Sequence, residues 1–243
     1  MVNRSVRWLS LIVLAVFLSG CGLIDYFYLP PAEDTAQELF EAGNDAMREK
    51  DYVAASAYFS KLKENFPFSP YAVEAELALA DAYFLDEEWA LAAEAYKDFE
   101  SMHPRHEAIP YVLFSIGVAN LNGYPSIDRS PQQVEEAYSY FSRLTESYPN
   151  TEYAEGAREQ MARCRRLMAE HDLYVADFYF RMDRYTSALL RYKDIIAKYP
   201  DVPEVFEHAQ LKAKASLIRD MENQSEETRR EREGSWRHWF NWL

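Results

Sequence analysis

Apolar positions recur with a helical period along most of this chain, and four stretches repeat one arrangement. In each, an Ala is followed four residues later by an aromatic residue, and eight residues further on by Pro. The sets are Ala55, Phe59 and Pro67; Ala92, Tyr96 and Pro104; Ala137, Phe141 and Pro149; Ala188, Tyr192 and Pro200. A small Ala lets a helix approach its neighbour closely, the aromatic one turn later fills the groove between them, and Pro cannot continue the helix. Counting back from each Pro predicts a preceding helix in every unit. Its inward residues are Leu39, Gly43 and Ala46 in the first, and Leu79, Ala80 and Tyr83 in the second. They are Leu113, Ile116 and Gly117 in the third, and Val175, Ala176 and Tyr179 in the fourth. Glu76 and Asp172 stand where an apolar residue is usual, so two of these first helices read as degenerate.

This helix–turn–helix pattern resembles the tetratricopeptide repeat (TPR). The fold class it predicts is all-α, a helical solenoid of four recognisable repeats plus a partial fifth. The repeats start 37, 45 and 51 residues apart, so the regular unit is interrupted. An insertion of eight residues falls within Leu121–Gln133, where Asn122, Gly123, Pro125 and Pro131 are turn and breaker signals. Glu152 to Phe180 contains no Pro and reads as one long helix or two abutting ones, with Met161, Cys164, Met168 and Val175 near one face. Residues 204–221 form one more amphipathic helix, with Phe206, Ala209, Leu217 and Met221 apolar. The predicted organisation is 1–20 signal peptide, 21–34 tether, 35–221 solenoid, and 222–243 charged tail with a Trp-rich end. That end holds Trp236, Trp239, Phe240 and Leu243 at helical spacing. It either folds back on the last repeat or anchors to a membrane interface or partner.

Composition narrows the class. Seven Gly in 243 residues argue against a turn-rich β fold. A net charge of −14 excludes a general nucleic-acid binder, which needs a basic surface to displace counterions. At the N-terminus, Arg4 and Arg7 precede an apolar run from Trp8 to Leu18, too short to span a bilayer as a helix. Leu18-Ser19-Gly20-Cys21 then resembles the bacterial lipobox, which implies cleavage before Cys21 and a lipid on its thiol. Gly22 in place of Asp implies, by analogy with lipoproteins of Gram-negative bacteria, the outer membrane, facing the periplasm. With Cys21 lipidated, Cys164 has no disulfide partner and reads as a free buried thiol.

No catalytic signature is present: no GxSxG, P-loop, HExxH or CxxC motif occurs. His103 and His106 flank Pro104 in an inter-repeat turn, too few ligands for a metal site. We therefore expect no enzyme activity, no metal and no cofactor beyond the covalent lipid on Cys21. Stacked repeats present a concave face built from the first helix of each unit, suited to extended peptides or another protein's domain. Phe40, Asn44, Met47, Asp81 and Phe84 are the candidates for a client-peptide groove there.

Several segments go beyond a generic repeat. They are Phe66-Pro67-Phe68-Ser69-Pro70-Tyr71, His103-Pro104 with Pro110-Tyr111-Val112, Asp128-Arg129-Ser130-Pro131-Gln132-Gln133, Tyr148-Pro149-Asn150 and Val175-Ala176-Asp177-Phe178-Tyr179. With the lipobox they resemble the BamD (ComL) family of outer-membrane lipoproteins of the β-barrel assembly machine, over residues 18–215. That family usually completes a fifth repeat, whereas here one helix precedes the charged tail. The resemblance implies docking on the periplasmic POTRA domains of BamA through the C-terminal repeats. It also implies engagement of unfolded outer-membrane proteins through the N-terminal ones. By position Arg191 matches a family Arg that pairs with a POTRA carboxylate, and Phe178, Tyr179 and Tyr185 lie around it as further contact candidates. The alternative is a periplasmic repeat lipoprotein that coordinates peptidoglycan synthesis or Tol–Pal function.

Overall fold

The computed structural model describes residues 35–240, with side chains through 232. Among them every regular element is a helix. The order is α1 (Ala36–Glu49), α2 (Tyr52–Asn65), α3 (Ala72–Leu85), α4 (Trp89–Met102), α5 (Ile109–Asn122), α6 (Gln132–Ser147), α7 (Glu152–Arg181), α8 (Tyr185–Lys198) and α9 (Pro203–Phe240). Consecutive helices pack on one another from α1 to α9, so α1–α2, α3–α4, α5–α6 and α7–α8 form the four repeats. The lipidation candidate Cys21 lies outside the described residues.

The repeated residues form the spine. Ala55, Ala92, Ala137 and Ala188 are fully buried, as are Phe59, Tyr96, Phe141 and Tyr192. Each ring faces a small residue of the preceding helix. A Cβ on Gly43 would lie 2.5 Å from the Phe59 ring, and one on Gly117 would lie 2.4 Å from the Phe141 ring. The second and fourth repeats carry Ala80 and Ala176 at the matching positions, both fully buried, and their aromatic is Tyr. Each Tyr hydroxyl donates to the carboxylate next in sequence to that Ala: Tyr96 to Asp81 at 2.6 Å and Tyr192 to Asp177 at 2.5 Å. Repeats one and three thus pair Gly with Phe, and repeats two and four pair Ala-Asp with Tyr.

Each repeat also ends alike. The residues before the four prolines, Phe66, His103, Tyr148 and Tyr199, cap their helices with φ between −125 and −133° and ψ of 51–53°. Proline excludes its predecessor from the α region, so the helix stops there. The first turns are less legible. Lys50, Glu87 and Asp183 adopt φ of 57–62°, each five residues before the repeated Ala in the second helix of an uninterrupted repeat. None is Gly, although L-residues are disfavoured there.

Two expectations change, and one open alternative resolves. Glu76 and Asp172 are not degenerate positions but half of a repeated polar contact. Glu76 bonds the His103 imidazole at 2.7 Å, and Asp172 accepts from Tyr199 at 2.9 Å, in both cases across 27 residues. The stretch from 152 is a single 30-residue helix, and His171 of that helix holds the insertion through the Ile127 carbonyl at 2.7 Å. Finally, α9 buries Val205, Ala209, Ala213 and Ser216, while Leu217 and Met221 are exposed. It does not end at 221 but runs through the polar segment to Phe240, because Glu, Gln and Arg are good helix formers and pairs such as Glu226–Arg230 support it.

The ring-on-glycine contact predicts a clear result. Gly117→Ala gains helix propensity yet forces the Phe141 ring to move, so it destabilises by about 1–3 kcal/mol in chemical denaturation. In a Phe141→Leu background the same substitution costs less, because the ring it strikes is gone.

Candidate functional site

The N-terminal groove forms where α1 meets the turn into α3. Phe40 stacks on Tyr71 with ring centroids 5.2 Å apart and leans on Phe59 at 6.1 Å. Capping by Thr35, whose hydroxyl accepts from Glu38 N–H while Glu38 returns a bond to Thr35 N–H, fixes the start of α1 and hence the height of Phe40. Phe40, Asn44 and Met47 line an open cavity of about 760 Å³ with Glu41, Asp45, Arg48 and Tyr71. The aromatic wall accepts an apolar side chain, and the Asn44 amide can bond an extended backbone.

Asp81 and Phe84 do not join this cavity. Phe84 packs edge-on against Trp89 at 5.3 Å and Tyr96 at 6.3 Å. Asp81 accepts from both Tyr96 and Tyr111 at 2.6 Å, and those hydroxyls lie 3.1 Å apart. Burial raises the Asp81 carboxyl above its ordinary value against the opposing bonds from Tyr111 and Tyr96. Burial and the facing carboxylate likewise push the Tyr111 hydroxyl up to about 12. This triad ties α3, α4 and α5 together, so Asp81 is committed to the packing of the body. Sequence reasoning missed Tyr71, whose helical neighbours hide its packing, and the exposed Phe68 beside it, at 99%.

A second groove of about 460 Å³ was also not anticipated. Phe114 and Tyr153 form its floor with ring centroids 6.0 Å apart, Gly156 leaves it open, and Glu152, Glu155 and Glu159 stand along one side of α7.

The C-terminal candidates converge at the α7–α8 pair. The Arg191 guanidinium lies 4.6 Å over the Tyr179 ring, which meets Phe178 edge-on at 5.8 Å. No carboxylate among the described residues pairs with Arg191. Phe178, Met182 and Leu190 are roughly half exposed or more. Tyr185 stands one contact further away: its ring packs on Phe180 at 5.4 Å and its hydroxyl donates to Asp183 at 2.6 Å. That bond and the adjacent carboxylate raise its hydroxyl above the usual value. A guanidinium held on an aromatic face is already oriented to take a carboxylate from a partner. Cys164 is fully buried and its thiol is pushed up to about 12 by burial, which makes it inert. His103 and His106 both pack on Phe99, at 4.9 and 5.2 Å.

The Asp81 triad is testable. Asp81→Leu removes the shared acceptor of both hydroxyls, leaving them only their bond to each other, and destabilises by about 1–3 kcal/mol, whereas Asp81→Asn keeps an acceptor and costs about 1 kcal/mol or less. Because the folded carboxyl is raised, folding takes up a proton as pH falls towards 3.8. The stability of the native protein relative to Asp81→Asn therefore rises between pH 7 and pH 4, as read by urea midpoints.

The chain resembles proteins whose roles are known. The profile of the YfiO family, described as outer membrane lipoprotein, matches residues 32–231. The outer membrane protein assembly factor BamD of Vibrio cholerae is 28% identical over 183 residues, covering 71% of this chain and 74% of that protein. BamD of Neisseria gonorrhoeae is 27% identical over 230 residues, covering 89% and 86%. Among solved structures, the TPR2AB domain of yeast Sti1 in its pHSP90 complex superposes with a TM-score of 0.44 at 14% identity, covering 77% of this chain and 71% of that one. With the family profile spanning the solenoid from its first repeat into α9, this chain belongs to the YfiO family of outer membrane lipoproteins.

Proposed function

We propose that this protein is the scaffold lipoprotein of an outer-membrane β-barrel assembly machinery. Lipid on Cys21 holds it at the periplasmic face, and it docks on POTRA domains of a BamA-like barrel protein. It binds unfolded outer-membrane proteins and assists their insertion, without catalysing a reaction itself. The observation that carries the reading is the similarity to BamD proteins along the solenoid, named as assembly factors for outer membrane proteins. The alternative role with peptidoglycan enzymes or Tol–Pal has no comparable support.

The two surfaces divide the work. The Arg191–Tyr179 stack with exposed Phe178 supports the POTRA contact, since a preoriented guanidinium beside an apolar patch suits a carboxylate-bearing domain. The cavity at Phe40, Asn44 and Met47 supports client binding, as an aromatic-walled groove of a size to take side chains of an extended peptide. Tyr185 belongs to the rim of the first surface, whereas Asp81 and Phe84 lie in the packing of α3 on α4 and α5, outside the second.

Arg191→Glu is expected to lower recovery of the POTRA-bearing partner about tenfold or more in copurification, because like charges then face each other, with thermal stability unchanged. Undiminished recovery would remove Arg191 from the contact. Photocrosslinkers placed at Phe40 and Met47 should capture the C-terminal segments of unfolded barrel proteins. Crosslinks confined to other regions of the solenoid would move the client site elsewhere.

A further inference from the structure

The groove between α5 and α7 takes no part in either contact proposed above. Yet α5 and α7 are the first helices of the third and fourth repeats, and first helices line the face on which a solenoid receives its partners. Its floor is aromatic. The Tyr153 ring lies 6.0 Å from Phe114 and 5.7 Å from Tyr111, and Phe114 is backed by Phe141 at 5.8 Å. Tyr153 is 38% exposed, so its ring is presented to solvent rather than packed in the core. Gly156 keeps the floor clear, since a Cβ there would stand 3.2 Å from the Phe114 ring.

The two walls differ in charge. Helix α5 carries no charged residue along its whole length. Helix α7 contributes Glu152, Glu155 and Glu159, all exposed, and none of the three pairs with a cation among the described residues. Glu152 and Glu155 suit the N-terminal end of a helix in their own right, but Glu159 stands two turns in and has no such reason. The neighbouring cations are turned elsewhere: Arg158 donates to the Pro149 carbonyl at 3.3 Å, and Arg165 to Asp201 at 3.0 Å. Arg163 lies one turn beyond Glu159 and pairs with none of the three, so the groove keeps an excess of negative charge.

Elsewhere the same chain completes this arrangement. Arg143 lies 4.6 Å over the Tyr140 ring and donates to Glu100 at 2.6 Å. Arg165 lies 5.0 Å over the Tyr199 ring and donates to Asp201. In both, a ring takes the face of the guanidinium and a carboxylate takes its edge. The groove between α5 and α7 has the rings and the carboxylates and lacks the cation. We infer that it binds an arginine side chain carried by an extended segment of a partner protein. The guanidinium stacks on the exposed Tyr153 ring and pairs with the carboxylates of Glu155 and Glu159. This site shares no residue with the cavity at Phe40 or the Arg191 surface, and it requires neither the POTRA contact nor a client.

The test titrates the full-length lipoprotein, in nonionic detergent, with the peptide acetyl-Gly-Ser-Arg-Ser-Arg-Ser-Gly-amide, read by calorimetry. A second peptide carries citrulline at both arginines, which keeps their shape and removes their charge. The arginine peptide should bind about tenfold tighter or more. Glu155→Gln/Glu159→Gln should weaken its binding about tenfold at an unchanged melting temperature, since both side chains are exposed. Tyr153→Leu removes the ring face, keeps apolar bulk and should weaken binding about threefold or more. Glu226→Gln/Glu227→Gln removes as much charge from α9 and should leave the affinity within about twofold. Equal affinity for the arginine and citrulline peptides would overturn the proposal. Equal weakening by the groove pair and the α9 pair would also overturn it, by reducing binding to the net charge of the chain. A Tyr153→Leu variant that binds as tightly as the native protein would remove the stacking and with it the assignment to arginine.

Discussion

Everything in this solenoid depends on how closely the second helix of each repeat can press its aromatic ring onto the first. At Gly43 and Gly117 even a methyl group would strike the ring of Phe59 or Phe141. Where the position is Ala, at 80 and 176, the ring gains a hydroxyl, and an adjacent carboxylate receives it. These are two solutions to one packing problem, and they alternate along the chain. Burying a tyrosine hydroxyl without an acceptor is costly, so Asp81 and Asp177 are as much part of the core as the rings they serve. The same pair of repeats then adds Glu76 with His103 and Asp172 with Tyr199 at the far end of the helices.

Close helix pairs leave the outward faces free, and the functional surfaces are built there. In the body between them, the Asp81–Tyr96–Tyr111 triad links three successive helices. At the other end, Arg191 rests on Tyr179, one turn from the buried Ala176, so the guanidinium is carried by a helix whose position is set by packing. A scaffold protein needs this division: a body that does not deform, and exposed residues whose geometry it transmits.

The fold was largely legible because the repeat writes itself in residues with strong physical preferences. Ala and the aromatics mark helix contacts, Pro marks the ends, and the eight extra residues between Gly117 and Phe141, against the Gly43–Phe59 spacing, mark the insertion. Less legible were positions where the local preference is overruled by the neighbouring helix. Lys50, Glu87 and Asp183 take left-handed backbone without being Gly, and nothing in their side chains announces it. Glu76 and Asp172 look like flaws in an apolar stripe until their partners 27 residues away are known. The groove was half legible for the same reason. Phe40, Asn44 and Met47 share one helix and stay together, but Asp81 and Phe84 are drawn to α4 and α5. The polar tail misled because composition reports solvation, and a helix can be solvated on nearly every side.

Work within an assembly for outer-membrane barrels requires stable partners in the membrane. It is tested most directly by extracting the native protein from its own membranes in mild detergent and identifying what comes with it. A POTRA-bearing barrel protein is expected in near-equal amount. Recovery of peptidoglycan synthases or Tol–Pal components in its place would contradict it.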